Sequence, residues 1–229
     1  MFCNQCEQTA KGTGCTSAGV CGKSHETAAL QDLLVYAVKG IAMYAHRARQ
    51  LGIKDRETDI FVLEALFSTV TNVNFDPERL EKLVNKAVAI RERMEKMYGE
   101  ASQKSGQKAE ALEGPATWRP GKSFPELIKQ GETVGYEKND EKFGPDIAGL
   151  LNMIIFGIKG MAAYMDHAQI LGVHDDQVYG FFHQSLDFLT KSSFNLDELV
   201  ALALKVGEVN LRVMELLDSA NTGTYGHPT

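Results

Sequence analysis

Cys3, Cys6, Cys15 and Cys21 are the four cysteines of the chain, spaced C-x2-C-x8-C-x5-C within a single opening stretch. Gly12, Gly14, Gly19 and Gly22 and the small polar Thr9, Thr13, Thr16 and Ser17 surround them, and no apolar period runs through the segment. Such a segment cannot build a core of its own. Its shape must come from whatever its thiolates hold in common, so residues 1–23 read as a metal-cluster loop.

Four thiolates within reach of one another admit two disulfides, a zinc site or an iron-sulfur cluster. Disulfides need an oxidising compartment, and the opening MFCNQCEQ has neither a basic n-region nor an apolar h-region, so export is not expected. An all-cysteine zinc site is most often built from two C-x2-C pairs; Cys3/Cys6 fits that pattern and Cys15/Cys21 does not. An Fe-S cube is larger, takes each cysteine on its own iron and tolerates uneven spacing, and glycines let peptide N–H groups approach its sulfurs. The spacing favours Fe-S and leaves zinc open.

The rest of the chain must position this loop, and its patterns are helical. Ser24 can cap a helix whose apolar residues Leu30, Leu33, Leu34, Ala37, Ile41, Tyr44, Ala45, Ala48 and Leu51 step by three and four until Gly52. A second helix is expected over about Thr58–Val73. A third starts at Asp76 as N-cap with Pro77 at its first position and runs to about Tyr98. Residues 24–98 thus form a three-helix bundle. Residues 99–143, punctuated by glycine and proline, read as an irregular connector with at most a helical turn at Pro125–Lys129, pinned to a bundle by Trp118.

From Gly144-Pro145 the helical pattern returns and repeats. Shifted by 120, Lys39-Gly40 falls on Lys159-Gly160, Tyr44 on Tyr164 and Leu51-Gly52 on Leu171-Gly172; seven of the fourteen positions from Lys39 to Gly52 are identical. Phe61 falls on Phe181 and, with one residue lost, Leu80 on Leu199. Residues 144–229 are therefore expected to be a second three-helix bundle, giving an all-α fold of two repeated bundles. The mid-helix glycines Gly40 and Gly160 suggest that another backbone crosses close at both places. The last helix, from Asn195 to about Asp218, is apolar on more than one face. Either it is buried on several sides, or it exposes a surface for further domains or for a second copy.

Composition bounds the function. A hydrophobic content of 44% and a charged content of 24% suit a folded globule, and a net charge of −6 with interleaved basic residues makes nucleic acid an unsuitable partner. No apolar run approaches the ~20 residues of a membrane span, and bare thiolates suit a reducing, cytoplasmic interior. His25, four residues past Cys21, reads as a helix-terminus residue facing solvent. His167 and His174 are separated by Gly172, and Glu92 and Glu95 read as solvated faces. No H-E-x-x-H, P-loop or nucleophile elbow occurs.

The run MFCNQCEQTAKGTGCTSAGVCGK, followed by LQDLLVYAVKGIAMYAHRARQLGI, resembles the amino terminus of the hybrid-cluster proteins, also called prismane proteins or hydroxylamine reductases, and the likeness continues to ANTGTYG. The resemblance implies that Cys3, Cys6, Cys15 and Cys21 bind a [4Fe-4S] cubane, a longer-spaced variant of the family carrying [2Fe-2S], and that the helices are two three-helix bundles set across one another. It implies an electron-transfer module that feeds a hybrid Fe-S-O cluster, which reduces hydroxylamine to ammonia or nitric oxide to nitrous oxide. Family members are over twice this length and hold the hybrid cluster through Cys, Glu and His of later domains; here no cysteine follows Cys21. The implied partners are those domains and a redox protein, and these residues alone are expected to be inactive. Carbon monoxide dehydrogenases are more distant relatives by the order and spacing of the cysteines. A structural or partner-binding helical protein with a four-cysteine zinc site is the alternative.

Overall fold

A computed structural model describes residues 3–135 and 137–227. Met1 and Phe2, at the start of the predicted loop, and Pro228 and Thr229, at the end of the predicted second bundle, lie outside the described residues. Among those described the elements are helical: α1 (His25–Gln50), α2 (Arg56–Ser68), α3 (Pro77–Lys104), α4 (Phe124–Val134), α5 (Lys138–Phe143), α6 (Pro145–Ile170), α7 (Asp176–Phe188) and α8 (Leu196–Tyr225), with 3-10 turns at Ala10–Gly12 and Gly114–Ala116. The all-α expectation holds.

The helix ends follow local chemistry. Ser24, Asp55, Asp76, Asp175 and Asn195 each accept a hydrogen bond from a first-turn N–H, satisfying donors that a helix leaves open. Gly52 (φ 80°) and Gly172 (φ 83°) turn the chain after α1 and α6 through the left-handed region. The repeat is registered in the bounds themselves. α6 begins and ends 120 residues after α1, and α7 begins and ends 120 after α2. The caps Asp76 and Asn195 stand 119 apart, which places the lost residue before the third helix.

Packing does not divide the helices into two self-contained bundles. α1 packs on α3 and α6 on α8, but the second helices are exchanged: α7 lies against α1, and α2 lies against α6. The connector also differs from expectation. It contains α4 and α5, and both α4 and the Gly114–Ala116 turn lie on α1. Ser123 with Pro125 at N1/N2 starts α4, and Leu127, completely buried, anchors it. The Trp118 ring meets Tyr36 edge-on at 6.1 Å, so Trp118 does pin the segment.

α6 corrects another expectation, being long and apolar enough to cross a bilayer by length and composition. Here it packs against α2, α5 and α8. α8 is not buried on several sides: Leu199, Val206, Val213 and Ala220 form one buried stripe, while Val200, Leu204, Leu211 and Met214 face outward. The main core is an apolar cluster drawn chiefly from α1 to α4 and α6 to α8.

Candidate metal centre

Helix α1 presents its N-terminus to the cysteine loop. Cys3 and Cys15 are held side by side by reciprocal peptide bonds, Cys3 N–H to Cys15 O at 3.3 Å and Cys15 N–H to Cys3 O at 2.7 Å, and both pack with Ala28. Lys11, with φ 56°, and Gly12 turn the chain back between them. Cys6 and Cys21 are half-buried. All four are free thiols. The structure brings together Cys3 and Cys15. Among the described residues no three His, Cys, Asp or Glu side chains converge into a metal-holding group.

The surroundings of Cys15 favour its thiolate. Peptide hydrogen bonds at Ala10 and Val20 hold the Cys15 thiol below its ordinary range, against the effect of burial and with help from Lys23. Two lysines stand behind the loop, both nearly inaccessible to water. Lys23 Nζ donates to Gln31 Oε1 at 2.7 Å, and Gln31 Nε2 donates in turn to the Asn74 carbonyl at 2.9 Å. Lys159 Nζ, from α6, donates to Gln5 Oε1 at 3.3 Å. The loop is thus tied to α1 and α6. Burial raises the pKa of Asp32 and lowers those of Lys159 and Lys39, while attraction between Asp32 and the two lysines opposes that shift in each.

Four free soft donors, cationic side chains behind them and peptide N–H groups on one sulfur are a donor set whose chemistry fits an Fe-S cluster, and fits zinc as well. Lys23, Gln31, Asp32 and Lys159 were not singled out from the sequence as part of this region. The legible signal was the repeated Lys39-Gly40 and Lys159-Gly160, a lysine set inside an apolar helix at equivalent positions.

The remaining candidates have partners outside the four cysteines. His25 lies 3.5 Å from Glu132, on the solvent side. His167 stacks edge-on with Phe67, and His174 Nδ1 bonds the Tyr179 hydroxyl at 2.8 Å. Glu92 pairs with Arg119 on the surface, and Glu95 is exposed. His183, which the sequence did not distinguish from the other histidines, is buried with its Nε2 2.8 Å from Asp59 Oδ1.

The description "Prismane/CO dehydrogenase family" matches residues 1–229. The chain is 50% identical over 228 residues to the hydroxylamine reductase of Syntrophobacter fumaroxidans, covering all of this chain and 41% of that protein. It is 49% identical over 229 residues to that of Methanocella arvoryzae, again over all of this chain and 41% of the relative. For Rhodospirillum rubrum the figures are 46% over 228 residues, all of this chain and 42% of the relative. The chain spans about two fifths of the length of the curated relatives it matches.

Proposed function

The chain belongs to the Prismane/CO dehydrogenase family, and on that premise we propose that Cys3, Cys6, Cys15 and Cys21 hold a [4Fe-4S] cluster. The helices carry it as the electron-transfer domain of a cytoplasmic hydroxylamine reductase. A cube held by four cysteines has no open coordination position and supplies one-electron transfer rather than substrate binding. The ligands of a second, hybrid cluster belong to the part of the relatives' length that this chain does not span. Hydroxylamine turnover is assigned to that part, and these residues alone are inactive.

The observation that carries the reading is the placement of four free thiols on one loop, with Lys23 and Lys159 tying that loop to α1 and α6. Fixed positive charge and peptide N–H donors lower the cost of gathering thiolates. Cys3 and Cys15 are already adjacent, and Cys6 and Cys21 complete the set by local movement of the loop.

Iron and acid-labile sulfide measured on protein purified without air test the proposal. About four of each per chain, with broad brown absorbance lost in the Cys15→Ser variant, is the expected result. Zinc in place of iron would move the reading to a structural four-cysteine site, and absence of any bound metal would remove both.

A further inference from the structure

The internal repeat carries one difference that its symmetry does not explain. On α1, the face running Ala29, Leu33, Gly40, Tyr44 is closed: Leu33 is 0% and Tyr44 5% exposed. A strap of chain following α3 closes it. The Pro115 carbonyl lies where a Gly40 Cβ would meet it at 2.2 Å, and α4 comes so near that a Gly131 Cβ would lie 2.1 Å from the Ala29 carbonyl. Arg91 of α3 fixes the strap by donating from Nη1 to the carbonyls of Pro115 at 3.4 Å and Trp118 at 2.5 Å.

The equivalent face on α6 is Gly149, Met153, Gly160, Tyr164. Met153 is 58% and Tyr164 41% exposed, and nothing among the described residues lies within 4 Å of a Cβ at Gly149 or Gly160. Asn210 of α8 occupies the place of Arg91, 119 residues on, and its Oδ1 is inaccessible to water with no hydrogen-bond partner. On α8, Leu204 and Leu211 are 73% and 60% exposed. A mid-helix glycine costs about 1 kcal/mol against alanine, a cost that close backbone approach offsets at Gly40 and that nothing among the described residues offsets at Gly160.

We propose that the face of α6 and α8 around Gly160 is the seat of a second strap, an extended polypeptide segment whose backbone lies on Gly160 as Pro115 lies on Gly40. In the first repeat the strap follows α3. Its counterpart is the segment that follows α8 in the family's longer chains, of which this chain spans only about two fifths. The proposal rests on the reading that these residues work as part of such a chain. It names the surface through which they join it.

The test grafts these 229 residues in place of the matching stretch of the Syntrophobacter fumaroxidans protein. Hydroxyl-radical labelling of Met153 and Tyr164 is then read by mass spectrometry in the graft and in the 229-residue chain alone. Labelling in the short chain and a several-fold loss in the graft is the expected result, with Gly160→Leu restoring labelling in the graft while leaving the melting midpoint of the short chain no lower. Equal labelling in both overturns the strap. Protection already present in the short chain, together with a dimer in sedimentation, makes a second copy the occupant and also overturns it. If the graft does not fold, the same comparison between the intact relative and its own matching fragment decides. Iron and sulfide are read on the same samples, so a graft that keeps its cluster but leaves Met153 labelled sinks the strap alone.

Discussion

Asp59 receives both Nη2 contacts of Arg49, at 2.6 Å to each carboxylate oxygen, and His183 Nε2 at 2.8 Å, in a site nearly closed to water. Burial pushes the Asp59 carboxyl up, but the bonds from His183 and Arg49 outweigh it and leave it below its usual range. Burial lowers His183 in spite of Asp59. The geometry gives the reason: Nε2–H donates to Asp59, and Nδ1 is buried with no partner, so a second proton would add a donor with nothing to bond. Both shifts act in one direction on stability. Below its unfolded pKa, near ~6.5, His183 would bind a proton in the unfolded chain but not in the folded one, so stability falls as pH drops; Asp59 contributes above its unfolded pKa and loses that contribution as pH falls through its folded value. His183→Phe should cost about 1–3 kcal/mol near neutrality, because it leaves Asp59 short of a bond, and should flatten the fall between about pH 7 and pH 5. Urea titrations of both proteins across that range measure it, and parallel pH slopes would refute it. From the sequence His183 was one of six histidines; only a partner 124 positions away distinguishes it.

Gly40 and Gly160 sit at one repeat position in two helices, and the sequence assigns both the same role. The structure separates them by what crosses each helix. Gly40→Ala must displace the Pro115 carbonyl, so it should destabilise the chain by about 1–3 kcal/mol despite the better helix propensity of alanine. Gly160→Ala meets nothing within 4 Å and should stabilise by up to about 1 kcal/mol. Paired urea melts of the two variants check both signs, and equal effects would show that the strap at Pro115 is not packed as described. Helix starts were legible wherever a cap side chain preceded an apolar period, as at Ser24, Asp76 and Asn195. From the sequence α4 reads as no more than a turn at Pro125–Lys129, because its period spans only three turns and it begins inside a proline-rich and glycine-rich segment, where local signals point to loop. The end of α3 was placed too early at Tyr98, since Ala101 and Ser102 are buried by tertiary contacts that no local pattern announces.

The exchange of α2 and α7 makes the two repeats interdependent. Each first helix is completed by a helix of the other repeat, and Arg47 to Asp187 at 2.7 Å and Arg56 to Asp176 at 2.9 Å cross the same boundary. Two independent bundles would unfold in two steps; one interleaved core should unfold in one. A single urea transition, coincident by circular dichroism and by Trp118 fluorescence, is the expected outcome, with two resolved transitions counting against the interleaving.

The sequence by itself determined the helical class, the repeat with its offset, the caps and the gathering of all four cysteines on one loop, because each is written in residues near one another along the chain. Only the tertiary structure decided which second helix covers which first helix, that Gly40 is crossed and Gly160 open, and that Lys23 and Lys159 back the loop. Those outcomes depend on pairing between faces that are equally apolar in both repeats, and hydrophobic burial is non-directional: the pattern says that a face must be covered, and packing alone says by what.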